Sequence, residues 1–235
     1  MPVSDKFTYL FLDAITIAAP FLLSFDKKIH FCRKWKWLFP SMLITSFLYI
    51  IWDIWFTKTE VWIFNHRFLV GIDLFSLPLE EYLFFIVVPY ACLFIYECLV
   101  GYFPNIPLYG KWYNLIMAGF STVITLLNYN HIYTLVTFGL ISMTLWYMIY
   151  YNRNFIERIQ NHLLPAWIIS IFPMLYVNGV LTSKPVLIYN NLENLGFRVG
   201  TIPMEDFFYN YLYMLWMVII YEKLRSNKSI FNSAK

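Results

Sequence analysis

PLEEYLFFIVVPYACLFIYECLV, residues Pro78–Val100, is the stretch on which the fold turns. It opens on a proline and two acids, then runs uncharged until Glu97. A bilayer core about 30 Å thick needs roughly 20 apolar residues per helical crossing, so the stretch predicts one transmembrane helix. Proline suits the first helical turn, and acids there meet the positive end of the helix dipole. The same opening recurs 125 residues on, where Pro203-Met204-Glu205-Asp206 falls on Pro78-Leu79-Glu80-Glu81.

Six further apolar stretches flank it: Phe7–Phe25, Trp37–Phe56, Trp112–Asn128, Ile132–Tyr150, Leu164–Thr182 and Pro203–Glu222. The chain of 235 residues is 60% hydrophobic and only 13% charged, against about 25% charged in an ordinary soluble domain. A soluble domain of this size could not hide that much apolar surface. Seventeen Lys and Arg against 14 Asp and Glu give a net charge of +3, too little for a nucleic-acid binder. The 23 Phe, 19 Tyr and 9 Trp exclude disorder. What remains is an all-α membrane protein of about seven crossings. The first stretch has Asp13 inside its apolar run and no small-residue cleavage site after it, so it is expected to be retained rather than removed as a signal.

The two halves align without a gap from Pro40 to Glu97. Pro40 falls on Pro165, Gly71 on Gly196, and Tyr96-Glu97 on Tyr221-Glu222. Apolar matches come cheaply between membrane helices, but matched prolines, glycines and acids do not. An odd unit of three crossings copied in tandem would be inverted, and the linking stretch Trp112–Asn128 restores its direction. The expected architecture is therefore a 3+1+3 parallel repeat about an axis along the membrane normal. Its units are residues 1–111 and 132–235, joined by a transmembrane link at 112–131. Twelve of the 17 basic residues, including Lys228 and Lys235 in the tail, fall on one side of this topology. By the positive-inside rule the N-terminus is outside and the C-terminus cytoplasmic, in the cell inner membrane. Glu60–Phe64 with Phe68–Val70, and the matching segment from Pro185 to Tyr189, each predict a short extended hairpin at the interface, a lid over the site or a plain aromatic anchor.

The acid pairs Glu80/Glu81 and Glu205/Asp206 are the expected catalytic groups. Adjacent acids on a helix point about 100° apart, so one of each pair can face the bundle. Desolvation against apolar walls would leave at least one of them protonated at neutral pH and ready to donate. The plain alternative is two ordinary helix starts at the headgroups. Phe84, Phe85, Phe208 and Tyr209 follow the pairs, and their ring faces would stabilise a cation; packing explains such rings equally well. Asp53 falls on Asn178 inside the second crossing of each repeat. An intramembrane acid is costly and a candidate for function, here for substrate contact, with a helix–helix hydrogen bond as the alternative. Asp13 is similar. Glu97 and Glu222 lie near the cytoplasmic ends and are expected to be solvated. Cys32, Cys92 and Cys98 have no ligand spacing, and the four His residues are unpaired, so no metal is expected. No GxGxxG or P-loop occurs, which removes the usual cradles for nicotinamide, flavin and nucleotide.

At PLEEYLFF (Pro78–Phe85) and PMEDFFYN (Pro203–Asn210) the chain resembles the integral-membrane lycopene cyclases. In that family two three-helix units act as separate subunits or, as here, are fused, and the Pro-x-Glu-[Glu/Asp] element is the proposed active-site signature. The resemblance implies a β-cyclase that takes membrane-dissolved lycopene to γ-carotene, β-carotene or both. An acid protonates the terminal double bond, the neighbouring double bond closes the ring, and a base removes a proton. No cofactor is implied; other carotenoid enzymes, and no nucleic acid, are the partners expected. Two rivals remain at this level. A small 3+1+3 transporter would use Asp53 and Asn178 at mid-membrane, and a scaffold for carotenoid enzymes would leave the acid pairs unexplained. In the first reading one composite site uses both motifs, with Glu80 and Glu205 as the telling pair; the alternative is two separate sites.

Overall fold

The structure is a computed structural model that describes residues 5–106 and 109–233, with side chains as far as Ser226. Lys235 lies outside the described residues, as does the side chain of Lys228. Seven α-helices account for most of the described residues: α1 (Thr8–Leu23), α2 (Trp35–Lys58), α3 (Leu79–Tyr102), α4 (Gly110–Leu127), α5 (Ile132–Tyr151), α6 (Arg153–Ser183) and α7 (Met204–Ser233). Among the described residues, five are long and apolar enough to cross a membrane: α1, α2, α3, α5 and α6, the first two with their short 3-10 leads. α7 carries Glu205, Asp206 and Asn210, yet its middle turns are wrapped by protein. Tyr211, Leu212, Met214, Leu215, Met217 and Val218 are fully buried. α7 and its counterpart α3 are the central helices, and the others surround them. The outer surface is apolar, with Leu22 71%, Leu127 73% and Phe47 64% exposed. Such a surface is stable only where lipid replaces water.

α6 begins at Arg153, eleven residues before the apolar stretch that announces it. Its first turns are polar and are held by the Arg153–Glu157 pair, 2.7 Å apart at i,i+4. They are helical without being apolar, so hydropathy misses them. At 31 residues the helix is about 46 Å long and overruns the bilayer core.

The two repeats meet across a two-fold axis that the strands make visible. β1 (Trp62–Phe64) pairs antiparallel with β4 (Leu187–Tyr189). Ile63 faces Ile188, its own counterpart, while Trp62 faces Tyr189 and Phe64 faces Leu187. A residue opposite its own copy is what a two-fold axis produces. The flanking bonds are reciprocal: Asn65 N donates to Val186 O (2.8 Å) and Asn190 N to Val61 O (2.9 Å). This corrects the expected hairpins. Each extended segment takes its partner from the other repeat, and the return through Phe68 is a short 3-10 turn, His66–Phe68.

At the other end of the bundle the symmetry recurs in side chains. Tyr96 Oη donates to Glu222 (3.3 Å), and Tyr221 Oη donates to Glu97 (2.7 Å). The axis therefore runs along the helices, from the β1–β4 pair to this cluster. Glu97 was expected in water and is instead fully buried. Lys34, Arg225 (3.1 Å) and Tyr221 converge on it, because basic residues of the first connection and of the C-terminal turns fold back over the α3 end. Glu222 also accepts from Arg225 at 3.3 Å.

Candidate active site

Two more hairpins deliver the acid motifs. β2 (Asp73–Leu74) and β3 (Leu77–Pro78) lead into α3; β5 (Arg198–Val199) and β6 (Ile202–Pro203) lead into α7. Their registers are equivalent, Asp73 opposite Pro78 and Arg198 opposite Pro203. Gly71 and Gly196, at φ +90° and +69°, hold the same bend in each copy, a backbone region that costs glycine little.

The two acids of each pair do different things. Glu80 Oε1 accepts from Val70 N at 2.6 Å, and Glu205 Oε1 accepts from Leu195 N at 2.7 Å. These first acids pin the loop ahead of their own helix. Thr134 Oγ1 adds a 2.6 Å bond to Glu205. Both Glu80 Oε2 and Glu205 Oε2 are buried without a partner, and neither residue lines the cavity.

Glu81 and Asp206, about 100° further round their helices, face a common space. They come from opposite repeats and line a single apolar cavity of about 340 Å³. Tyr9 Oη donates to Glu81 at 2.5 Å. Its counterpart Tyr133 donates to Asp206 at 2.8 Å. Beyond this the symmetry breaks. Asp206 Oδ2 accepts from Tyr189 Oη (2.7 Å) and Asn178 Nδ2 (3.2 Å), so three neutral donors surround one carboxyl. Burial and the adjacent Asp206 push the Tyr189 phenol far above its ordinary pKa, and it serves as a neutral donor. Glu81 instead has the buried carboxyl of Asp53 for a neighbour. Two carboxyls this close and out of water do not both carry a charge. Asp53 is 1% exposed, and its Oδ1 accepts from Trp62 Nε1 at 2.7 Å.

Of the residues singled out in the sequence, Glu81, Asp206, Phe84, Phe85, Tyr209 and Asn178 line the cavity. Glu80 and Glu205 stand behind it, as does Asp53, which holds the indole of the cavity-lining Trp62. Phe208 is a correction: it points away and packs on Phe138 (4.6 Å between ring centroids), Phe120 and Trp167 (5.9 Å each). It is a wedge between helices, as the packing alternative had it. Trp62, Phe64, Leu187 and Tyr189 of the cross-repeat strands roof the cavity. Asp13 is buried, with neither carboxyl oxygen partnered. Among the described residues no three His, Cys, Asp or Glu converge as metal ligands would.

Tyr9 and Tyr133 escaped the sequence reading, which held Trp62 and Tyr189 only as parts of the two candidate lid segments. Tyr9 and Tyr133 occupy equivalent places in α1 and α5 but are 124 residues apart, one off the register of the later helices. A comparison begun at Pro40 does not reach them.

A family model described as lycopene cyclase matches residues 6–99 and, a second time, 130–224. No curated protein and no solved structure matches the chain.

Proposed function

The chain belongs to the lycopene cyclase family, a family of carotenoid-cyclising enzymes, and from that premise we propose that it closes ψ ends of lycopene into β-ionone rings by acid–base chemistry, in one site built from both repeats. The observation that carries this reading is the meeting of Glu81 and Asp206, one from each signature motif, in one apolar cavity. Glu81 is the proton donor. The neighbouring buried carboxyl of Asp53 favours a proton on the pair, and Tyr9 fixes the orientation of Glu81. Asp206 is the base, its carboxylate held by the three donors Tyr133, Tyr189 and Asn178.

Glu81 protonates C2 of the terminal double bond and leaves a tertiary cation at C1. The C5–C6 double bond attacks C1, the C1–C6 bond forms, and the cation moves to C5. Asp206 removes the C6 proton, and its electrons form the ring double bond. The proton then returns from Asp206 to Glu81. Atoms are conserved and no electrons are transferred overall. Positioned proton transfer contributes about 10²–10⁴-fold, and the rings of Tyr9, Phe84, Tyr133 and Tyr209 around the cavity attract the cation, each by about 2 kcal/mol or more where water is excluded. In this reading residues 1–111 and 132–235 are the two cyclase units and 112–131 the link. The basic-residue asymmetry supports an inner-membrane enzyme with its N-terminus outside and its acids in the outer half of the bilayer.

Expression in a lycopene-accumulating bacterium tests the reading. A ring-bearing carotene should form without any added cofactor. Unchanged lycopene, with the protein confirmed in the membrane, would overturn it.

A further inference from the structure

The cavity is deep, lipid-facing and one-sided. From Glu81 it follows α3 as far as Ile95, fourteen residues or about 21 Å of helix. Ile15 and Ala19 of α1 and Pro173 and Tyr176 of α6 line it and are exposed on the outer surface. Its mouth therefore opens sideways into lipid between α1 and α6. The two-fold axis should generate a second groove between α5, α7 and α2.

That second groove is cut off from the acids. A hollow remains between α2, α5 and α7, lined by Leu48, Met143, Trp216 and Ile220, but neither Glu81 nor Asp206 lines it. The counterparts of Met174 and Val177, which line the open groove, are Tyr49 and Trp52. Tyr49 packs between Trp216 of the hollow and Tyr209 of the open groove, at 5.8 Å and 4.7 Å between centroids, and Trp52 lies 4.9 Å from Tyr209. Tyr49 and Trp52 are buried. A polyene has a path to the acids past Met174 and Val177 on one side, and meets two aromatic rings in that place on the other.

Resting on the cyclase reading, we propose that the fused protein has one polyene groove that reaches the acids, so that it closes one end of a substrate per visit and releases the monocyclic carotene into the bilayer before a second ring forms. Both acids stand at the same end of that groove. An extended C40 polyene is about as long as the 30 Å bilayer core is thick, so its far end lies well away from Glu81 and Asp206 while the near end reacts. The second end reaches the acids only after the molecule leaves through the α1–α6 mouth and returns reversed.

A pulse–chase with purified protein in lipid vesicles tests this. Isotope-labelled lycopene is supplied first, and a large excess of unlabelled lycopene follows within the first turnovers. Labelled monocyclic carotene should accumulate, and the chase should suppress its conversion to labelled bicyclic product at least tenfold. Monocyclic carotene as the sole product also supports a single groove. Labelled bicyclic carotene formed from the first time point and untouched by the chase would overturn the inference while leaving the cyclase reading intact. No ring-bearing product at all would remove both. Ala91→Trp, which puts an indole across the open groove between Glu81 and Ile95, should lower ring formation at least tenfold in protein that melts normally; full turnover in that variant would place the substrate elsewhere.

Discussion

Asn178 and Asp53 occupy the same position of the repeat, and the difference between them separates the surroundings of Asp206 and Glu81. The amide of Asn178 gives Asp206 a donor; the carboxyl of Asp53 gives Glu81 a second buried acid for a neighbour, and two such groups do not both ionise. Asp53→Asn keeps the shape but offers Glu81 an amide donor, which favours the charged form of the acid meant to give up a proton. We expect kcat to fall about tenfold or more, an effect of about 1.4 kcal/mol, with KM unchanged; a change in KM alone would make Asp53 a binding residue. Glu80→Gln should behave differently. The amide oxygen can still accept from Val70 N, so activity should be retained far better than in a variant of Glu81. Glu80→Ala would leave that N–H unpaired in a part-buried loop and cost about 1–3 kcal/mol of stability. The acid pairs were legible because prolines and acids are rare inside apolar runs. Which acid of each pair faces the cavity was not, because the answer depends on helix rotation set by neighbours. The tyrosines were hidden for a simpler reason: with 19 in the chain, no single one stands out.

At the scale of elements, the reciprocal bonds between repeats carry the assembly. Glu97 receives Lys34, Arg225 and Tyr221 where α3, α7 and the start of α2 converge. Removing one partner of a buried ion cluster leaves the others uncompensated. Both cations are partly exposed and can rehydrate, so Glu97→Gln should cost about 2–3 kcal/mol rather than the larger penalty of a sealed pair. Thermal melting in detergent measures it, and an unchanged transition would mean that the cluster is ornamental to stability. The helices themselves were legible from apolar length and the proline–acid starts. The strand pairing was not. A short extended segment with an Asn-His or Asn-Asn turn suggests a local hairpin, and nothing in its own residues says that its partner is the matching segment 125 positions away. The polar first turns of α6 were lost for the opposite reason, since they are helical but not apolar.

The whole molecule is two copies of one unit that have diverged unequally about a shared axis. The matched halves foretold the axis, but only side-chain volumes on both sides of it reveal that one groove reaches the acids and its mate is cut off from them. In the proposed mechanism the copies have specialised: one supplies the acid that donates, the other the carboxylate that accepts, and neither half holds both. Product analysis of Glu81→Gln and Asp206→Asn, each expressed in a lycopene-accumulating bacterium, tests this directly. Each change keeps shape and removes a proton-transfer group, so each should lower formation of the first ring by about 10²-fold or more and leave lycopene as the pigment. If either variant makes normal amounts of monocyclic carotene and loses only the second ring, each repeat works alone and the shared site is wrong.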